Sequence, residues 1–101
     1  MNTMVIERFR SGDAVPVYRR FREQGRLAPE GLDYVSSWIT ADLKQCFQVM
    51  ECSGRSLLVE WISRWSDLVD FEVIPVITSA EAQEAVVANS SDRRLSVQEG
   101  P

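Results

Sequence analysis

Leu57–Ile77, LLVEWISRWSDLVDFEVIPVI, changes its hydrophobic period half-way along. Leu57, Leu58, Trp61, Ile62 and Trp65 recur at helical spacing and form one wide apolar stripe, with Arg55, Glu60 and Arg64 mainly on the other side. This predicts a helix that buries two tryptophans, with Ser53 able to cap its N-terminus. In Phe71–Ile77 apolar residues occupy both parities and Glu72 is the one charge, the pattern of a strand covered on both faces. Pro75 lacks an amide donor and predicts an edge strand or an unpaired amide position.

Upstream, Thr3–Phe9 alternates as a first strand. Ser11-Gly12-Asp13 reads as a turn, Asp13 as an N-cap, and Pro16 falls in the first turn of a helix that carries Tyr18 and Phe21 and closes at Gly25. Pro29-Glu30-Gly31 is a loop. Leu32–Thr40 and Gln45–Cys52 are the second and third strands. Thr78 and Glu81 fit a capping box that opens a third helix, fading near Ala88. The polar, aperiodic Asn89–Pro101 reads as a mobile tail, so 1–88 forms the domain.

The order β-α-β-β-α-β with a terminal helix predicts an α+β, ferredoxin-like fold, with strands one and three central and strands two and four at the edges. Two helices shelter one face of such a sheet. Both parities of strands one, three and four are apolar, so the other face needs a cover, and a homodimer packed sheet to sheet is the expectation. Which parity faces the helices is left open by this pattern.

Composition narrows the function classes. The chain has 101 residues, 45% hydrophobic and 26% charged, as in an ordinary soluble domain. A net charge of −4 gives no electrostatic reason for nucleic acid or an anionic membrane as a partner. Arg19, Arg20, Arg22 and Arg26 cluster, but Glu23 and Glu30 interrupt them, and a solvated helix face is the favoured reading. Charge by Glu7 argues against a secretory leader, no apolar run is long enough for a membrane span, and the cytoplasm is the expected compartment. Cys46 and Cys52 on one strand lie ~20 Å apart, which predicts free thiols. With no histidine and only two thiols a zinc site is not expected, a Ser-His-Asp triad is impossible, no phosphate loop is present, and no cofactor is expected.

The segments ERF…GD…PVYRRFREQGR…PEGL.YV.SW, CFQVMEC and EWISRW.DLVDFEV.PV.TS.EA, across about Met4–Ala82, resemble a bacterial family of domains of unknown function, number thirty-three zero three. The resemblance implies a dimeric α+β barrel, related in fold to muconolactone isomerases and small cofactor-free monooxygenases. It carries no established activity.

Candidate chemistry is sparse. Glu7, Glu51 and Glu72 fall near one end of the sheet if strands one and three run parallel, and converging carboxylates raise one another's proton affinity as a general acid or base requires. The plainer alternative, a wet rim paired with arginines, is favoured. Arg8, Tyr34, Trp38, Gln48 and Met50 could line a cavity for a small apolar or aromatic ligand, though core filling by Trp38 and Met50 is the favoured account. Tyr18 with Arg26 could close a pocket mouth, on position alone. Trp61 and Trp65 read as core, and the thiols, with no base to activate them, as buried. The leading function is small-molecule binding between sheet and helices. A cofactor-independent monooxygenase or isomerase, by fold analogy, and a structural or partner-binding subunit are the alternatives.

Overall fold

A computed structural model describes residues 1–89. The stretch read above as a tail lies, past Asn89, outside the described residues. The elements are β1 (Asn2–Phe9), α1 (Val15–Gln24), β2 (Leu32–Ile39), β3 (Gln45–Cys52), α2 (Arg55–Ser63), β4 (Val69–Val76) and α3 (Ser79–Asn89). The sheet order is β2-β3-β1-β4, so the fold is ferredoxin-like and Pro75 sits on an edge strand.

All adjacent strands are antiparallel. This corrects the parallel relation assumed above for β1 and β3. The crossover through α1 returns β2 in the direction of β1, and the hairpin then reverses the chain, so β3 must oppose β1.

The parity left open is resolved by burial. Thr3, Val5, Glu7 and Phe9 of β1 face the helices, with Cys46, Gln48, Met50 and Cys52 of β3. Val5, Met50, Trp61 and Val69 are the most completely enclosed side chains, joined by Val17 of α1 and Leu58 of α2. The opposite face carries Met4, Ile6, Phe47, Val49 and Ile74, and neither α1 nor α2 covers it.

The ends of the elements are set locally. Asp13 accepts from the Val15 amide across 3.0 Å and opens α1. Ser53 does not cap α2; Gly54 holds that position and the Ser53 hydroxyl turns to the Gly31 carbonyl. Gly31 has φ +94°, and a Cβ there would stand 2.8 Å from Leu57 Cδ1, so the loop before β2 reaches α2 only with glycine. Thr78 and Glu81 exchange reciprocal bonds of 2.8 and 3.0 Å at the start of α3, as the sequence predicts. Arg20 leaves the solvated face expected of it: it forks onto Asp67 at 2.8 and 2.7 Å, bonds the Arg64 carbonyl, and ties α1 to the loop after α2.

Candidate functional site

A cavity of about 120 Å³ lies between the helices and the sheet. Glu7 and Phe9 of β1, Cys46 and Gln48 of β3, and Ser37 of β2 form its floor. Val17, Tyr18 and Phe21 of α1 form one wall and Trp61 and Trp65 the other, with Arg26 in the loop between α1 and β2. The walls are aromatic because α1 and α2 each turn their apolar stripe to the same sheet face.

Glu7 is the chemical centre. Its side chain is 7% exposed, and no arginine or lysine pairs with it among the described residues. Gln48 Nε2 donates to Glu7 Oε2 at 2.6 Å, and Arg26 Nε donates to Gln48 Oε1 at 3.0 Å. The cation therefore reaches the carboxylate through a neutral amide. Burial pushes the Glu7 carboxyl up to about 7, while the Gln48 bond and the Arg26 charge pull it part of the way back. Burial, then the Glu7 charge, pushes the neighbouring Cys46 thiol up to about 12, where it is a poor nucleophile at neutral pH. Tyr18 is raised as well, by burial first and then by Cys46 and Glu7.

Arg26 is fixed from both ends. The indole N–H groups of Trp61 and Trp65 both donate to its carbonyl, at 2.9 and 3.0 Å. Its guanidinium lies 3.8 Å from the Tyr34 ring centre and 5.1 Å from that of Phe21. These bonds answer the polar requirement of two buried tryptophans and use a loop peptide to do it.

The three glutamates do not converge. Glu51 lies opposite Asn2 and Glu7 opposite Cys46, which places them at opposite ends of antiparallel strands. Glu72 lies opposite Ile6, one position from Glu7 and hence on the other face. Glu51 meets the N-terminal amine at 2.8 Å and Glu72 meets Arg8 at 3.1 Å, both exposed. The five-residue ligand set also divides. A bulge between Tyr34 and Ser36 flips the parity of β2, so Tyr34 faces the helices while Trp38, 62% exposed, faces away. Arg8 is on that second face with Trp38. Met50 is sealed in the core, and Gln48 alone of the five lines the cavity, with Tyr34 behind Arg26.

The arrangement brings together a ferredoxin-like sheet, the ERF strand with its inward glutamate, the REQGR turn after α1 and the EWISRW helix end around one cavity. The family model described as "Domain of unknown function (DUF3303)" matches residues 1–90. The chain belongs to this family. No curated protein and no solved structure matches it. No helix among the described residues is long and apolar enough to cross a membrane.

Proposed function

We propose that the protein binds a small organic molecule in the cavity between sheet and helices. One observation carries this reading: a carboxylate enclosed beneath aromatic walls without a cation against it. Burying such a group costs several kcal/mol, and a fold that needed only a core would place an apolar residue there. At about 120 Å³ the cavity is smaller than the roughly 150 Å³ apolar cavity that admits benzene, so a single ring is the most it takes between its walls. Ligand-observed NMR with single-ring compounds tests the reading. Wild type binds, and Cys46→Leu, which fills the cavity floor, does not. Equal binding by the two proteins, or none by wild type, contradicts it.

Glu7 favours a second, enzymatic reading. A carboxyl that titrates at about 7 is suited to take a proton from an activated C–H near neutral pH, the step shared by cofactor-independent monooxygenases and isomerases. Deuterium exchange into a bound ring compound, lost in Glu7→Gln, would support it; exchange at the same rate in the variant would end it. An unfilled interior with an inward carboxylate counts against a purely structural subunit.

We also propose that a second copy covers the open sheet face. Met4, Ile6, Phe47, Val49 and Ile74 form an apolar field there, with Trp38 at its edge and charged Arg8, Asp70 and Glu72 near one end. Two unpaired cysteines accord with a reducing compartment, and the cytoplasm is our assignment.

A further inference from the structure

Resting on the binding reading above, we propose that the cavity takes a single-ring carboxylic acid with a hydroxyl or aromatic amine across the ring. The carboxylate docks on the Arg26 guanidinium, and the hydroxyl or amine donates to Glu7.

Arg26 has the form of a prepared anion site. Of its five N–H donors, Nε is spent on Gln48. Its two terminal nitrogens have no acceptor among the described residues, although several other arginines on this surface are paired. The fork lies against the Tyr34 ring and near that of Phe21, and its peptide is pinned by two indoles, so little rotamer entropy is lost when a carboxylate binds.

The inner end asks for the opposite polarity. Glu7 Oε2 is occupied by the Gln48 amide, while Oε1 has no partner among the described residues. Above about pH 7, where it is ionised, this carboxylate only accepts, so the ligand must bring a donor. Between the two ends stand aromatic side chains, which suit a planar ring. The ionisable groups around Glu7 are Arg26 from the loop, Tyr18 from α1 and Cys46 from β3; α2 lines the cavity with Trp61, and Phe71 of β4 lies opposite Glu7. One cation therefore serves the whole site, which limits the ligand to a single negative charge and makes its second group a neutral donor.

Isothermal titration of 3- and 4-hydroxybenzoate, benzoate, phenol and toluene tests this. At least one hydroxybenzoate should bind tenfold or more tightly than benzoate, which lacks the donor, and than phenol, which lacks the carboxylate. Arg26→Gln should remove that advantage, with near-ultraviolet circular dichroism reporting whether the variant is folded; Arg26→Lys should restore part of it. Phenol or toluene binding as well as the acids overturns the ligand class and leaves the cavity reading intact. Acids that bind Arg26→Gln undiminished overturn the ligand class in the same way. Silence from all five compounds overturns both. Should Arg26→Gln fail to fold, the wild-type ranking decides alone.

Discussion

Gln48 donates its side-chain amide to Glu7 across 2.6 Å, from the strand beside it in the sheet. Both side chains are buried, and the pair joins a carboxylate to an arginine that never touches it. A direct ion pair would hold the glutamate ionised at all ordinary pH. The intervening amide leaves its proton affinity to be set chiefly by burial.

Stability should follow from that proton. Glu7 is raised from the ordinary 4.5 to about 7 in the folded protein. Between those values the native state holds a proton that the unfolded chain has lost, so this contribution is complete below pH 4.5 and declines until about pH 7. The span corresponds to roughly 3 kcal/mol. Glu7→Gln should unfold at higher denaturant than wild type at pH 8, with the gap closing towards pH 4.5. Urea titrations at the two pH values measure it, and a gap independent of pH would assign the effect to packing.

Trp61 and Trp65 share one acceptor, the Arg26 carbonyl. Trp65→Phe leaves that carbonyl bonded by Trp61 and should cost about 1–2 kcal/mol. Trp61→Ala opens the core beside Phe71 and should cost about 3–5 kcal/mol. Chemical denaturation of Trp61→Phe, Trp65→Phe and the double variant tests the shared acceptor: losing both indoles should cost more than the two single losses added, and simple additivity would contradict it.

Much of this molecule is legible in the sequence. The change of period in Leu57–Ile77 carries the helix–strand boundary, and Thr78 with Glu81 carries the start of α3. Tyr18 and Arg26 are placed at a pocket by position along α1 and its exit, and both line the cavity. Two things are not legible. The bulge at Val35 is invisible to a period-two count, and it alone separates Trp38 from Tyr34. The inward glutamate is hidden because both parities of β1 are apolar, so alternation cannot say which one meets the helices. The rim expected for Glu7, Glu51 and Glu72 holds for the latter two and fails for the one that matters.

The open face makes its own prediction. Ile6 and Phe47 lie opposite one another at its centre. Ile6→Asp with Phe47→Asp should convert a dimer into a monomer at micromolar concentration, read by light scattering. Wild type that is already monomeric there removes the second copy from the account.

The most direct measurement is the titration of Glu7 itself, followed through its carboxyl carbon by NMR in the intact protein. An enclosed carboxylate should show a midpoint near 7, moving upward when saturating benzoate, which brings a charge but no donor, occupies Arg26. A midpoint near the ordinary 4.5, unmoved by benzoate, would mean a solvated carboxylate and no enclosed site.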